Sequence, residues 1–481
     1  MKNIFIFYLI IFLLSSINAF QDEEKAQNNI KFLNIPFKRN LTLDDSMTPE
    51  QFVKTIFYNQ IYINMKVGSE KQEIPFYLYL QRYPVVLQTS QAKKGQVKGI
   101  YNHSKSSTYK QLGEESTFKN GEVAIGVLSQ DKFYFNNTSS DIQFYLNIES
   151  NAFTHITEGG SIGFQYFTDN EEDKGSNFVA YLKQLDVISS YYVSILYDSY
   201  KFEDDTGKLY IGALPHEINK KQYDEKDLKK IISNKNSDFW EFRIEDLHLG
   251  NKSFPLHDDA YLYPEFGFIS GVQKFFDILN NTGKWNYYFN ISQKCYSFNF
   301  RIDDFDNNGL GLFLYEYTAY YCDKDVDIND IFNESIIFSS TDDKIEFNFT
   351  MNELWLEKGK YKYFLILNSA SNNNIWILGK PFFKKYHLVF NSDSKQIGFY
   401  QNVNFDNKND GSNEKDNTIL YVLVIIGLVI IIGVLAFFLI KFYIYSPRKK
   451  RANELLDDNY EYTQNENQDN RIIPSEEDKQ D

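Results

Sequence analysis

The residues of this chain whose side chains could do chemistry are few and unevenly spaced. There are two cysteines, Cys295 and Cys322, and six scattered histidines, none of them in an HExxH pair. Two thiols are too few for a Cys-rich zinc module, and the histidine spacing excludes the usual catalytic zinc site. We therefore expect no metal and no other cofactor, which leaves carboxyl groups as the candidates for acid–base chemistry.

Carboxyl side chains are absent from one long stretch and grouped in another. From Ile74 through Gly113 there is no Asp or Glu, whereas Asp258, Asp259 and Glu265 stand close together later in the chain. Two carboxyl groups that lie side by side share one proton, so one acts as a base and the other as an acid. Residues 74–113 cannot supply either member of such a pair.

The elements that must position these residues are mostly strands. From about Gln51 to Gln401 the pattern is all-β, with runs rich in Tyr, Phe, Ile and Val between clusters of Asn, Asp, Gly and Ser. One short helix is predicted at Asn177–Leu185, with Leu185 on its apolar face. The charged segment Gln222–Ser233 is interpreted as a linker or surface excursion between two halves. The clearest strand runs are Phe57–Val67, Pro75–Leu80 and Lys344–Phe349.

The two ends of the chain predict export and a membrane anchor. Met1–Ala19 has the basic start, apolar run and small-residue exit of a signal peptide, with an uncleaved anchor as the alternative. Ile419–Ile440 carries no charge over 22 residues, which cover about 33 Å and suffice to cross a bilayer as a helix. Because Lys and Arg follow it directly, we expect the C-terminus in the cytosol.

These features predict a single-pass type I membrane protein of the secretory pathway or cell surface, with its N-terminal domain lumenal or extracellular. The lipid bilayer is then one partner, through the transmembrane helix. The predicted divisions are 1–19 signal peptide, 20–50 N-terminal segment, 51–216 first lobe, 217–402 second lobe, 403–418 stalk, 419–440 transmembrane helix and 441–481 cytoplasmic acidic tail.

Charge argues against nucleic acid as a partner. The chain has 50 Lys and Arg against 65 Asp and Glu, a net charge of −15, and its long middle has no basic patch. Binding to a phosphate backbone needs the opposite balance. The tail Ala452–Asp481 concentrates the negative charge, and we interpret it as solvated.

Asn-x-Ser/Thr sequons agree with the predicted topology, since all of them precede the apolar span. Each is a candidate glycosylation site in an exported domain. The nine asparagines are Asn40, Asn102, Asn136, Asn137, Asn251, Asn280, Asn290, Asn333 and Asn348.

A series of short motifs covers most of Phe52–Asn402. The most specific is Trp376–Phe383, with the letters WILGKPFF, and single motifs elsewhere are weak until they are taken in order. The others are Phe57–Ile63, Lys105–Tyr109, Gly126–Asp131, Ser161–Phe164, Tyr192–Leu196, Gly207–Gly212, Trp240–Ile244 and Gly398–Phe399. In this order and spacing they resemble the pepsin-like aspartic peptidases.

The resemblance implies an all-β, bilobal pepsin-like fold. It also implies a disulfide between Cys295 and Cys322, with two free thiols as the alternative. It further suggests that Ile30–Arg39 is a short basic pro-part, although an ordinary N-terminal tail fits equally well.

The same resemblance exposes departures at the catalytic positions. In the resembled family each lobe supplies one aspartate from a D-T-G turn, and the two activate a water. Here Gln81 and Tyr263 take those positions; an amide does not titrate in water, and a phenol titrates near pH ~10. Glu265 is a residual carboxyl candidate because it is two residues from Tyr263. The flap offers Phe118 or Lys119 instead of the usual tyrosine.

The sequence therefore favours a non-catalytic, membrane-anchored family member that binds a peptide or protein ligand between its lobes, at Gln81, Tyr263, Phe118 and Lys119. One alternative is an aspartic-type endopeptidase with unusual residues that uses Glu265. Another is a scaffold or adhesion ectodomain whose cleft Tyr263 plugs, and a third is sorting or receptor function through the tail. The ligand and the oligomeric state stay open.

Overall fold

The computed structural model describes most of the region before residue 404 and one short stretch after it. The described residues are 30–39, 43–57, 61–80, 85–89, 100–119, 123–135, 138–149, 159–165, 177–233, 239–281, 284–301, 316–340, 345–370, 374–401, 403 and 433–439.

Strands dominate the described part of the chain. In its first half they are β1 (Leu33–Lys38), β2 (Tyr62–Val67), β3 (Gln72–Tyr79), β4 (Val86–Gln88), β5 (Lys110–Lys119), β6 (Val123–Phe135), β7 (Thr138–Glu149), β8 (Gly160–Gly163), β9 (Tyr192–Tyr197) and β10 (Thr206–Ile211). In its second half they are β11 (Leu228–Ile232), β12 (Glu241–Leu249), β13 (Lys252–Leu262), β14 (Ile269–Gly271), β15 (Cys295–Arg301), β16 (Glu316–Asp323), β17 (Ile336–Ser340), β18 (Ile345–Phe349), β19 (Trp355–Lys358), β20 (Tyr361–Phe364), β21 (Ile366–Ser369), β22 (Ile375–Leu378), β23 (His387–Asn391) and β24 (Gln396–Tyr400).

Helices are short and lie between the strands. The α-helices are α1 (Pro49–Phe57), α2 (Phe178–Gln184), α3 (Pro215–Ile218), α4 (Gln273–Asn280), α5 (Ile328–Ile331) and α6 (Lys380–Lys385). One π-helical turn covers Tyr287–Ile291, and 3₁₀ turns cover His103–Lys105, Glu225–Asp227 and Met351–Leu354.

Two sheets hold these strands, and one of them is shared by both halves of the chain. The 13-stranded sheet has the order β11-β24-β23-β9-β10-β1-β2-β3-β8-β4-β7-β6-β5. The 11-stranded sheet has the order β18-β17-β12-β13-β22-β14-β21-β16-β20-β19, with β15 paired to β16. Because β11, β23 and β24 come from the second half, backbone hydrogen bonds join the halves directly.

The same strand arrangement occurs once in each half. In the first, β3 runs parallel to β8, β8 is antiparallel to β4, and β4 is parallel to β7. In the second, β13 runs parallel to β22, β22 is antiparallel to β14, and β14 is parallel to β21. Each half therefore has a turn with a strand crossing behind it. In the first half the turn lies between β3 and β4 and the crossing strand is β8; in the second the turn lies between β13 and β14 and the crossing strand is β22.

The predicted helix at Asn177–Leu185 is confirmed as α2. The Asn177 side chain accepts hydrogen bonds from the amides of Val179 and Ala180, so it caps the helix at its N-terminus. Phe178 and Leu182 are buried, but Leu185 is 38% exposed, so its assignment to the apolar face is wrong. The helix ends at Gln184, and Leu185 is its cap.

Two other predictions need correction. Phe57 does not begin a strand; it ends α1, a helix that also crosses the predicted boundary at residue 51. The Thr48 hydroxyl accepts a hydrogen bond from the Gln51 backbone amide, and the Gln51 side chain accepts one from the Thr48 backbone amide, which together form a reciprocal cap.

The segment Gln222–Ser233 is more than a linker, because β11 within it pairs with β24 along five residues.

The chain divides into two compact units, Met1–Asn407 and Lys408–Asp481. In the second unit the structure describes residues 433–439, which are helical. None of the helices in the described ranges combines the length and apolar character that a membrane crossing needs. Most of the predicted span Ile419–Ile440 lies outside those ranges.

The disulfide implied by the family resemblance is confirmed. Cys295 on β15 lies directly opposite Cys322 on β16, both residues are buried, and their sulfur atoms are bonded. The two cysteines are 27 residues apart in sequence. Their bond joins β15 to β16 and closes the loop between these strands.

We expect the double substitution Cys295→Ala with Cys322→Ala to lower the free energy of unfolding of the exported region by about 2–4 kcal/mol, because the unfolded chain then regains the freedom of that loop. Chemical denaturation followed by tryptophan fluorescence measures the loss. Ser297→Ala, at an exposed position of the same strand, is the control and should change stability by less than about 0.5 kcal/mol. Equal midpoints for both variants would contradict the prediction.

Candidate functional site

The two turns can be aligned with one another through the strands that cross behind them. Ser161 of β8 pairs with Tyr77 on one side and Val86 on the other. Its counterpart in β22 is Ile377, which pairs with Tyr261 and Ser270. The paired residues are nine apart in both cases (86 − 77 and 270 − 261), so the two turns have equal length.

This register makes Tyr79 the counterpart of Tyr263. The same register also superposes Gly163 on Gly379, which lie two residues beyond Ser161 and Ile377. These glycines belong to the motifs Ser161–Phe164 and Trp376–Phe383, so the motifs agree with the register. The sequence-based alignment had set Gln81 against Tyr263 instead, two residues further along. Gln81 lies outside the described residues, so its place in the first turn stays a prediction.

The backbone of the second turn is held from behind. The Tyr263 amide donates to the Leu378 carbonyl at 3.1 Å, and the Lys380 amide donates to the Phe266 carbonyl at 2.7 Å. A Cβ at Gly379 would lie 2.2 Å from the carbonyl oxygens of both Phe266 and Phe268. Only glycine permits the crossing strand to approach this closely, so the turn has little freedom to move backwards.

The front of the same turn is covered by α1. The Gly267 amide donates to the Phe57 carbonyl at 2.8 Å, and a Cβ at Gly267 would lie 1.7 Å from the Ile56 carbonyl oxygen. The carboxyl end of α1 therefore lies directly on the turn. The site that the family resemblance assigned to a catalytic residue is in contact with the N-terminal segment of the same chain.

Aromatic side chains fill the interface between α1 and the second half. The Phe57 ring packs edge-on against Phe266 at 4.9 Å and Tyr317 at 5.3 Å between ring centroids. The Phe52 ring stacks on Tyr363 at 4.1 Å. Tyr263 belongs to this cluster and is 4% exposed. Full burial of each large apolar side chain contributes about 1.5–3 kcal/mol, so this is a stable contact.

Glu265 is the carboxyl of the second turn, and it is in an unfavourable place for a charge. Both carboxyl oxygens are buried and have no hydrogen-bond partner among the described residues, although the residue as a whole keeps intermediate exposure. Burial raises the pKa of the Glu265 carboxyl to about 8. With this pKa the carboxyl is mainly protonated at acidic and neutral pH, which makes it a poor acceptor of a proton from water there.

The neighbouring aspartates do not reach the turn. Asp258 is buried, and its carboxylate accepts a hydrogen bond from the Trp376 indole nitrogen at 3.0 Å. Burial raises the pKa of Asp258, so part of the cost of placing it in the core is avoided by protonation. Asp259, the next residue along β13, pairs with Ile375, four residues before the turn.

The flap candidates Phe118 and Lys119 are described by their backbone only. They end β5 and pair with Ala124 and Val123 of β6, so they do lie at the tip of a hairpin. Their side chains are outside what the structure describes, and contact with Tyr263 stays a prediction.

Six of the nine sequon asparagines lie in the described ranges, and all six are exposed: Asn102, Asn251, Asn280, Asn290, Asn333 and Asn348. Asn40, Asn136 and Asn137 lie outside these ranges. Exposure is what attachment of a glycan needs. Within the same described ranges, no group of three or more His, Cys, Asp or Glu side chains is arranged to hold a metal ion.

Sequence reasoning missed two parts of this site. The first is Tyr79. The alignment of β3 with the family pattern used the sequence only, without the pairing of β3 with β8 that fixes its register. The second is α1, whose reciprocal Thr48–Gln51 cap and Pro49 at the first helical position are recognisable signals of a helix start. The aromatic run after them looked like a strand, and Phe57 was assigned to it.

A repeated turn with a strand crossing behind it, in two halves joined by one sheet, defines the class of pepsin-like β-proteins. The family model described as eukaryotic aspartyl protease matches residues 67–402, more than half of the chain. The chain therefore belongs to the eukaryotic aspartyl protease family. Among curated proteins, none matches it.

We expect Glu265→Gln to stabilise the protein increasingly as the pH rises from about 4.5 to about 8. The folded state holds the Glu265 proton up to a pKa of about 8, whereas the unfolded state releases it near 4.5, so the wild type loses stability across this window. The amide cannot ionise and escapes this loss, which amounts to at most about 5 kcal/mol.

The measurement is the difference in unfolding free energy between variant and wild type at a series of pH values. Taking the difference cancels the titration of other buried groups. Glu346→Gln, at an exposed position of β18, is the matched control for the same change of side chain outside the turn. A constant difference for Glu265→Gln would show that this carboxyl is not held in its acid form.

Proposed function

We propose that this chain is a non-catalytic, membrane-anchored member of the aspartyl protease family that acts as a recognition or scaffold ectodomain. The observation that carries the proposal is the contact of α1 with the turn Tyr263–Phe268, through the Gly267–Phe57 hydrogen bond of 2.8 Å. The backbone of the second turn is thus hydrogen-bonded to the N-terminal segment of the same chain, and α1 covers one side of that turn.

The residue chemistry supports the same proposal. Hydrolysis by this family requires one carboxyl to take a proton from water while a second donates one to the substrate. Tyr79 and Tyr263 occupy equivalent positions in the two halves, and a phenol gives up its proton near pH ~10. Glu265, the remaining carboxyl of the second turn, is buried and protonated over the range in which it would have to act.

Anchoring and export rest on separate support. The charge-free segment Ile419–Ile440 is long enough to cross a bilayer, and residues 433–439 within it are helical. A buried disulfide and six exposed sequon asparagines suit an exported domain. We therefore place residues 20–418 in the lumen or outside the cell and the acidic tail in the cytosol.

Peptide binding between the halves is the second candidate function. Half-buried aromatic residues that pack around the α1 contact favour it, since such side chains provide pockets for extended peptides. They include Tyr261, Phe298, Tyr321 and Tyr361. In the present arrangement α1 occupies the centre of this surface, so a peptide would need to displace it or bind beside it.

We expect the purified exported region to leave peptide substrates uncleaved from pH 3 to pH 7. The reason is that no pair of carboxyl groups is available at the two turns to share the proton work. A fluorogenic peptide library followed by mass spectrometry provides the test. Acid-dependent cleavage that a transition-state mimic blocks and that Glu265→Gln abolishes would restore the peptidase alternative.

We expect the double substitution Phe52→Ala with Phe57→Ala to create peptide binding that the wild type lacks. Loss of both rings loosens α1 and uncovers the aromatic surface around Tyr363 and Phe266. Binding of a library of extended peptides, followed by fluorescence anisotropy, measures the gain.

The control for this experiment is Glu50→Ala with Lys54→Ala, which changes the exposed side of the same helix. It should bind no more peptide than the wild type. Peptide binding by the wild type that Tyr263→Ala alters would favour the second candidate function over the scaffold proposal.

A further inference from the structure

The first strand of the N-terminal segment is an interior strand of the sheet that joins the two halves. β1 pairs with β10 along six residues, from Leu33 opposite Ile211 to Lys38 opposite Thr206, and with the start of β2 on its other side. Leu33, Ile35 and Phe37 point into the core and are buried. Removing β1 would expose these residues' partners and leave two strand edges unpaired.

A buried charge cluster fastens the end of β1 to both halves. The Asp205 carboxylate, before β10, pairs with the Lys380 ammonium of α6 and lies 3.5 Å from the Arg39 guanidinium. The Arg39 side chain also donates to the Thr55 carbonyl of α1 at 3.1 Å. The three charged side chains are at most 5% exposed. Removing Arg39 would break its contacts with Asp205 and with the Thr55 carbonyl, and with them the link between the end of β1 and α1.

The second anchor of the segment is α1 itself. Its four apolar residues Phe52, Val53, Ile56 and Phe57 are at most 1% exposed, and they pack against aromatic residues of β16, β20 and the Tyr263 turn. Before the helix, the Asp45 carboxylate pairs with Lys358 of β19 at 3.1 Å. The geometry is that of an amphipathic helix in an apolar groove.

The connection between α1 and β2 is too short to take the place of β1 in the sheet. Four residues, 58–61, separate the end of α1 at Phe57 from the start of β2 at Tyr62. They span at most about 14 Å, less than the roughly 20 Å of a six-residue strand. If the chain were cut after α1, these four residues could not fill the place of β1 between β10 and β2.

We infer that residues 30–57 are a permanent internal partner of the second half: the aromatic face around the Tyr263 turn is a helix-binding groove, and its resident occupant is α1. The segment is therefore not a removable pro-part. A cut between α1 and β2 leaves it bound. This inference rests on the same α1 contact as the proposed function, but different measurements test the two. Retention of the N-terminal fragment after a nick tests the inference, and cleavage of peptide substrates tests the loss of catalysis.

The test is a nick introduced into the intact exported region. A recognition sequence for a site-specific protease is inserted at residues 58–60 and cleaved under native conditions. We expect the N-terminal fragment to co-elute with the remainder in size-exclusion chromatography and to separate only in denaturant. The same insertion within 404–417 is the matched control, and its product should separate at once. Release of the N-terminal fragment from a remainder that stays folded overturns the inference.

Substitutions on the two sides of α1 make the nicked protein more informative. Val53→Asp places a charge in the groove, and we expect it to release the fragment after cleavage, whereas Lys54→Ala, at an exposed position of the same turn, should not. If the N-terminal fragments of the two variants stayed bound to the same extent, the role of the groove would be contradicted.

Hydrogen exchange on the unaltered exported region tests the same inference without an insertion. Backbone amides of β1 and α1 should exchange as slowly as those of β9, within about tenfold, because all of them then open only when the whole fold opens. Exchange more than about a hundredfold faster in β1 and α1 than in β9 would mean that the segment detaches on its own, and the inference would be wrong.

Discussion

The contact between α1 and the Tyr263–Phe268 turn is the constraint on which the rest of the site depends. At the front, the Ile56 carbonyl comes so close to Gly267 that no side chain fits between them. At the back, Gly379 lies so close to the carbonyl oxygens of Phe266 and Phe268 that no side chain fits there either. A turn held on both faces cannot rearrange to present a new carboxyl group. The surroundings are aromatic and buried, which suits a packing contact and penalises any charge placed there.

The repeated strand arrangement explains how the fold persists with different residues at its centre. What defines each repeat is a parallel pair, an antiparallel pair and a glycine where the crossing strand passes behind the turn. These are backbone interactions, and they do not require an acidic side chain at Tyr79 or Tyr263. Tyr263 also contributes apolar surface to the cluster that receives α1. Stability and catalysis therefore place separate demands on this position, and the buried Tyr263 ring meets the demand of stability.

Local signals explain which predictions succeeded and which did not. Asn177 caps α2 through its own side chain, so that helix could be predicted from neighbours in sequence. The end of α2 could not, because the exposure of Leu185 depends on what packs against it. Likewise, Phe57 looked like a strand residue because aromatic residues favour strands. Its place at the end of a helix is set by Phe266 and Tyr317, which are more than 200 residues away in sequence.

By itself the sequence determined the family, the β-rich class and the division into two halves, because motifs such as Trp376–Phe383 depend on short-range patterns of apolar residues and glycine. It also determined that residues 74–113 supply no carboxyl group. The tertiary structure alone decided that Tyr79 is the counterpart of Tyr263, since strand register is a matter of hydrogen-bond partners far apart in the chain. It alone decided that α1 packs on the Tyr263 turn, because a buried interface exists only when both of its surfaces have been brought together.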